Sequence, residues 1–530
     1  MVSQSSFWWR KRKYRKRQRT GVGSEDHRVS CQGILDGWPF LFFLGGDDLT
    51  EHDTVLSLWP DDGLHGRRKC FTDKKEITPD NVVDVVAAAY STHQKNKREI
   101  QYLYDYLRGK QDIRCKQKQI RPEINNKVVV NRANEIVTFK SAYFLDEPIQ
   151  YISNGGDDET SKKVKQFNDY MVAEDKVSLD KEIVDWMHIC GVGVRMVTSD
   201  EQPEENGSPL LIYSLDPREA FVIYHSGLGH KPMAGVICQK DEDGQWMHCV
   251  YTEEFYCEIK GDKVQNSEPR TVPYIPIIEY ENNTSRMGSF EVVISLLNAI
   301  NELESSRVDD VQQFVESILV FENCEIDQEK ADDLREKLGL MISSDPSKPA
   351  KVYRVDGQLD QGGVQTIVDD LYDAVLTICG MPNRNGGSST SDTGRATIMR
   401  DGWQAAESRA EDTEKMFNRS ERQFLKIALY ICRTTTNLDL AVSDIKIEHT
   451  RNNLSNMQSR MQILCEGLNN DKIHPKIPWV ISGMPNAEEW YRISMEHYEQ
   501  QQAEMEERLE REKPIETIVS EEGENENAEM

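Results

Sequence analysis

Long apolar runs are absent from this sequence. The most apolar stretch, Trp38-Pro39-Phe40-Leu41-Phe42-Phe43-Leu44, follows Asp36 and falls far short of the roughly 20 residues a membrane-spanning helix needs. Positive charge is in deficit too: 64 Lys and Arg face 91 Asp and Glu, a formal net charge of −27 over 530 residues. A protein that grips nucleic acid over a broad surface draws its affinity from neutralised phosphates, so a DNA partner here would have to slide rather than stick. The 11 cysteines are scattered, and the closest pair, Cys249 and Cys257, makes no C-x-x-C hook. No His-x-x-x-His follows at zinc-finger spacing, which leaves buried or idle thiols and no metal site or cofactor. Hydrophobic residues make up 38% and the mean hydropathy is −0.64, low for a single large core, yet aromatics recur throughout. Several regions in an elongated, surface-rich subunit fit those values better than wholesale disorder.

Arg10 to Arg19 is a dense basic block ahead of the Trp38–Leu44 run. The order matches a secretory leader, but the apolar part starts too late and the block is too long. Residues 1–72 are read as an extension outside the fold, either a basic arm or translation from a start codon upstream of the true one.

Ordered sequence is expected from Thr78-Pro79-Asp80, with Thr78 as helix cap and Pro79 at the first helical position. Val82, Val83, Val86, Tyr90, Ile100, Leu103 and Leu107 keep a broken helical period to Gly109. Val128 to Leu145 and Ile183 to His188 predict two more helices. From Gly191 the period becomes strand-like, in Gly193–Val197, Leu211–Tyr213, Phe221–Tyr224 and onward to the proline-punctuated Val272–Ile278, which predicts a mixed α+β body.

The rest is nearly all helical. Residues 288–321 space Phe290, Val293, Leu297, Ile300, Val311, Phe314 and Ile318 by threes and fours. An insert, 322–362, holds a short helix (Asp327 to Leu338) and two strands, Leu340–Ile342 and Lys351–Val355. A second helix, 364–379, sets Val364, Ile367, Leu371, Val375 and Ile378 opposite Thr366, Asp370, Asp373 and Thr377. After a loop over 382–394, the steps from Ala396 through Trp403, Phe417 and Phe424 to Ile431 predict an unbroken helix of about 55 Å, capped by Asp392 or Thr393. Shorter helices occupy 454–510, and an acidic, disordered tail closes the chain.

Chemistry-bearing motifs are not found. Gly387 to Gly394 followed by Arg395 has the wrong spacing for a phosphate-binding loop, lacks its Lys-Ser/Thr pair and follows no strand. His188 beside Cys190 reads as a helix end leading into a strand rather than as a nucleophilic pair. The acid pairs Asp309-Asp310 and Asp369-Asp370 read as solvated helix faces rather than metal ligands. No catalytic residue is assigned.

Four segments resemble one family. Asn125-Asn126-Lys127-Val128-Val129-Val130-Asn131-Arg132-Ala133-Asn134-Glu135-Ile136-Val137, running on to Tyr143-Phe144-Leu145-Asp146-Glu147-Pro148-Ile149, resembles the opening signature of portal proteins of the Bacillus phage SPP1 type. Leu215–Tyr224, Pro276–Asn283 and Ile445-Lys446-Ile447-Glu448-His449-Thr450-Arg451-Asn452 resemble the family's later segments, in its order, and together they cover 78 to about 500. Asp146 departs from the glycine common in relatives, a turn detail.

The resemblance implies an α+β portal fold and a non-enzymatic, homo-oligomeric dodecamer ring at one capsid vertex of a virion assembled in the host bacterial cytoplasm. It implies a mixed α/β wing (73–287), stem helix 1 (288–321), a small α/β clip (322–362) and stem helix 2 (363–381). A tunnel loop (382–394), a long wing spine helix (395–433), an α-helical crown (434–512) and the acidic tail (513–530) follow. Implied partners are double-stranded DNA in the channel, the terminase large subunit, a head-completion adaptor and the major capsid and scaffolding proteins, with no membrane. The tunnel loop would present Asn383, Arg384, Asn385, Gly386, Gly387, Ser388, Ser389, Thr390 and Arg395. Glu302, Asp309, Asp310, Asp369, Asp370 and Asp373 would line the stem with acid, or else form a solvated outer face; both readings stand. Clip contacts would come from Asp327, Glu329, Lys330, Arg335, Lys351, Tyr353 and Arg354. Two rivals explain less: an ATP-driven packaging enzyme lacks its phosphate loop, and a coiled-coil scaffold leaves the β region at 191–280 unexplained.

Overall fold

Alternating apolar residues between Val192 and Glu281 fold into two sheets, as a period of two requires. The larger has the order β1 (Cys70–Thr72), β5 (Ala220–His225), β6 (Pro232–Lys240), β7 (Trp246–Tyr251), β8 (Phe255–Lys260) and β9 (Lys263–Pro269). The smaller runs β10 (Ile277–Glu281), β3 (Val192–Ser199) and β4 (Leu210–Leu215). Only the β1–β5 pairing within them is parallel. Between the sheets Val192, Val194, Ala220, Val222 and Ile277 share one buried cluster. This computed structural model describes residues 66–512, except 120, 155–157, 201–202, 204–206, 316–318, 323–350, 355–360, 384–401, 452–453, 471 and 483–486.

Helix α1 (Val82–Leu107) lays Val82, Val85, Val86 and Ala89 on the large sheet, against Phe221, Ile223, Val236 and Val250. Helices α2 (Arg132–Phe144), α3 (Asp158–Ala173) and α4 (Lys176–Cys190) follow, with β2 (Gln150–Ser153) between the first two. Further on come α5 (Ile294–Val315), the strands β11 (Leu319–Glu322) and β12 (Lys351–Arg354), and α6 (Gln361–Cys379). Helix α7 (Trp403–Thr436), 34 residues, is about 51 Å long. Its buried stripe of Phe417, Phe424, Ile427, Ala428 and Ile431 clusters with Phe144, Met187, Val197 and Tyr280.

A buried ionic knot ties α4, β3 and α7 together. The guanidinium of Arg195, fully buried, meets Asp180, Glu421 at 3.3 Å and the Tyr280 hydroxyl at 3.1 Å. Lys176 joins Asp180 at 2.7 Å and Glu421 at 2.9 Å, and Tyr280 donates to Glu421 at 2.6 Å. Two cations balance two anions, the condition under which such a group tolerates burial; deleting one partner typically costs about 3–5 kcal/mol. Burial pushes the Glu421 carboxyl up, but Lys176 and Arg195 outweigh it and hold the group well below the usual carboxylate range.

Several expectations are corrected. Residues 66–72, placed outside the fold, lie inside it: Arg67 is buried and Cys70–Thr72 is a sheet strand. The first helix starts at Val82 rather than Pro79, because the Asn81 side chain accepts the Thr78 N–H at 2.9 Å and closes a turn there. The helix expected over 288–321 is described as far as Val315, and Leu319–Glu322 instead pairs antiparallel with Lys351–Arg354. The expected strand Leu340–Ile342 and helix Asp327–Leu338 lie outside the described residues.

The helix read as unbroken over 395–432 does not run through Gly402. Gly402 stands at φ +82, so α7 begins at Trp403; Asp392 and Thr393 lie outside the described residues. The region assigned from 434 to the crown divides as well. Leu438 and Leu440 are buried in the core of α7, and β13 (Ile445–Glu448) pairs with β2. The helices after it, α8 (Leu454–Leu468), α9 (Lys476–Ile481) and α10 (Ala487–Glu512), fall where the turn signals put them.

Candidate functional site

Helices α5 and α6 pack on each other, and one end of the pair is sunk in a core. Phe290, Val293, Leu297 and Ile300 cluster with Val368, Val375, Leu376, Cys379 and Met381, and with Leu103, Tyr106, Ile136 and Val137 of α1 and α2. Arg307 reaches across, donating to Gln361 at 2.9 Å and Gln365 at 2.7 Å. The Tyr372 hydroxyl donates to Glu135 at 2.8 Å, and Arg132 stacks over the Tyr372 ring at 3.9 Å.

A polar ladder on α5 holds the opening segment of the family-like signature. Asn301 accepts the Val130 N–H at 2.8 Å, Ser305 the Val128 N–H at 2.9 Å and Asp309 the Asn126 N–H at 2.7 Å. Alternate residues of an extended chain are about 6.6 Å apart and helix positions four apart about 6 Å, so the two spacings match rung for rung. Asn298 continues the stripe, bonded to Asp112 and Tyr106 at 2.8 Å each. The helix side chains stand in for a missing strand partner, which satisfies part-buried backbone donors that would otherwise lack one.

Asp309 is therefore not an outward acid. It is fully buried, and Lys118 closes on its second oxygen at 2.5 Å. Its burial opposes ionisation, but the bonds from Lys118 and Asn126 win and lower its pKa. The other acids expected along the helix pair, Glu302, Asp310, Asp369, Asp370 and Asp373, are all exposed. Asp369 takes a bond from Gln365 at 2.7 Å and Asp373 one from Asn383 at 3.1 Å.

After α6 the chain turns at Gly380, whose N–H reaches Thr377 while the Met381 N–H reaches Leu376. Asn383 is half-buried and the last residue described before Gly402. Arg384, Asn385, Gly386, Gly387, Ser388, Ser389, Thr390 and Arg395 lie outside the described residues, as do Asp327, Glu329, Lys330 and Arg335. Lys351 is exposed on β12, which also carries Tyr353 and Arg354, paired in register with Val320 and Leu319.

His188 and Cys190 do not form a reactive pair. The His188 Nδ1 meets the Ser289 hydroxyl at 2.8 Å, and burial pulls the imidazole down to about 3. The Cys190 thiol donates to the Trp186 carbonyl at 3.2 Å, and burial pushes it up to about 12. Among the described residues no cluster of His, Cys, Asp and Glu could hold a metal ion, and no helix is long and apolar enough to cross a membrane.

A mixed α+β body thus bears this helix pair and a 34-residue helix. The family described as "Phage portal protein, SPP1 Gp6-like" matches residues 89–514, and the chain belongs to that family. Its role is accordingly that of a portal protein, a structural component of a virion. Among solved structures, a chain from the neck of an empty GTA particle computed with C6 symmetry aligns at a TM-score of 0.40 with 10% identity, over 66% of this chain and 90% of that one. No curated protein matches the chain by sequence.

Proposed function

We propose that this chain forms a closed dodecameric ring at one capsid vertex, through whose channel double-stranded DNA is packaged and later ejected. In this reading α5 and α6 are the stem, the β11–β12 region between them is the clip, α7 is the wing spine and α8–α10 are the crown. The observation that carries it is the run of exposed acids on an anchored helix pair: Glu302, Asp310, Asp369, Asp370 and Asp373. Carboxylates facing a channel repel phosphates, so counterion-release binding cannot brake a moving duplex. The polar ladder on α5 fits this role, because it fixes the stem to the body without spending the outward acids on internal pairing.

The segment after Asn383 would be the tunnel loop, with Arg384 making a brief, salt-sensitive phosphate contact. The clip end would receive the terminase large subunit during packaging and the head-completion adaptor afterwards. The shell would meet the major capsid and scaffolding proteins, with assembly in the host cytoplasm. Electron microscopy and native mass measurement of the purified protein test the ring directly. A discrete particle of about a dozen subunits with an axial hole is expected; dimers, trimers or open polymers would overturn the reading.

A further inference from the structure

Residues 66–72 precede the family-matched region and are held as a ligand would be, extended in an acidic groove. Gly66 stands at φ +52, pressed so close to the backbone of Ser285 and Arg286 that a Cβ would collide with the Ser285 carbonyl oxygen. The Arg67 N–H donates to the Arg286 carbonyl at 2.9 Å, and its buried guanidinium pairs with Glu99 at 3.2 Å and Glu291 at 2.5 Å. Buried Asn96 reads the Arg68 backbone both ways, accepting its N–H at 2.9 Å and donating to its carbonyl at 2.7 Å. The Arg68 side chain joins Glu99 at 2.6 Å, and Lys69 pairs with Glu281 at 2.8 Å. Cys70–Thr72 then add a parallel strand to the edge of β5. Three consecutive cations on three carboxylates, with main-chain bonds along a sheet edge, is the chemistry of peptide recognition by strand addition.

The connection to the body is exposed and polar. Asp73, Lys74, Lys75 and Glu76 are exposed, and Ile77 is the next buried residue. The five residue steps from Thr72 to Ile77 extend to about 17 Å. All groove residues that hold the strap lie outside this hinge, so a strap from another copy would make the same contacts.

We propose that in the assembled particle each subunit's strap, residues 66–72, docks in the acidic groove of a neighbouring copy, so that the groove of every subunit is completed by the next. This rests on the reading of the chain as a ring former. Exchange preserves each strap contact, and in a closed ring the tether holds the incoming strap at high effective concentration while lacing neighbours together.

Thr72 and His225 stand opposite in the β1–β5 register. Two differently tagged full-length chains, one carrying Thr72→Cys and the other His225→Cys, both with the exposed Cys115 and Cys465 and also Cys31 and Cys324 replaced by Ser, are co-expressed and treated with a short thiol crosslinker. A covalent product bearing both tags is expected, since only docking in trans brings those two cysteines together. Adding Gly66→Ala to the Thr72→Cys chain should abolish it by blocking docking. The exposed hydrogen-bonded pair Asp73 and Ser226 supplies a second cysteine pair should His225→Cys fold poorly. Rings in which both tags co-purify but give no two-tag product, while a chain carrying both cysteines crosslinks internally, would overturn the exchange and leave the ring reading intact. Absence of any ring would overturn both.

Discussion

The Asp309 carboxylate accepts the Asn126 backbone N–H at 2.7 Å while the Lys118 ammonium closes on its other oxygen at 2.5 Å. A residue whose neighbour, Asp310, points to solvent thus ends the ladder that fastens residues 126–130 to α5. Asp309→Ala should cost about 3 kcal/mol, since it strands a part-buried backbone donor and a part-buried cation. Asp310→Ala should change stability by no more than about 0.5 kcal/mol. Denaturant melts of the two variants check this, and equal losses would refute the buried role of Asp309.

Acid should loosen the body through its buried histidines. Burial pulls His93 and His449 down to about 4 and His188 to about 3, from an ordinary value of 6.5. A depressed folded value means that the unfolded chain takes up protons first as pH falls. The contribution of neutral burial is complete above pH 6.5 and is lost progressively down to about 4 for His93 and His449 and about 3 for His188. Asp309 and Glu421, also depressed, extend the loss to lower pH. Unfolding midpoints measured at steps from pH 7.5 to 4 should fall through that window, and His188→Gln should flatten part of the slope.

The start of α7 depends on a backbone shape rather than a contact. Gly402 sits at φ +82 with the Met381 carbonyl at an ordinary distance from where a Cβ would be, so Gly402→Ala is opposed by conformation and not by crowding. A destabilisation of about 1 kcal/mol is expected. Gly402→Asn, which tolerates the left-handed region better, should cost less, and melts of the pair decide it.

How far the sequence could be read follows from what its patterns encode. Period two and turn chemistry located the β region from Gly191, and unbroken three–four spacing located α7, because burial of one face imposes both. Charge on a helix face encodes no direction by itself. Asp309 and Asp310 look alike in sequence, and only the run Asn298, Asn301, Ser305, Asp309, Gln312 at steps of three and four marks a polar stripe that needs partners. Glu421 lies 226 residues from Arg195, so its burial with Arg195 and Asp180 is a property of packing that no local window contains. The strap at 66–72 was hidden for a related reason. Its three cations read as a continuation of a basic extension, while the carboxylates that receive them come from three distant elements.

The last expectation concerns the outward acids of α6. Asp369, Asp370 and Asp373 are exposed, and no base on α6 accompanies them. If they face a passing duplex, changing all three to Asn removes three repelling charges per subunit without disturbing the buried side of the helix, where Val368, Val375 and Leu376 sit. Assembled particles of the triple variant should then retain linear duplex DNA at low salt, with retention falling steeply as salt rises. The parent should retain little at any salt, and the variant's packaging should slow while its ring stays intact by native mass. A variant that neither binds duplex nor packages more slowly would place these carboxylates on the outer, solvated face and remove electrostatic repulsion from the account of how DNA slides.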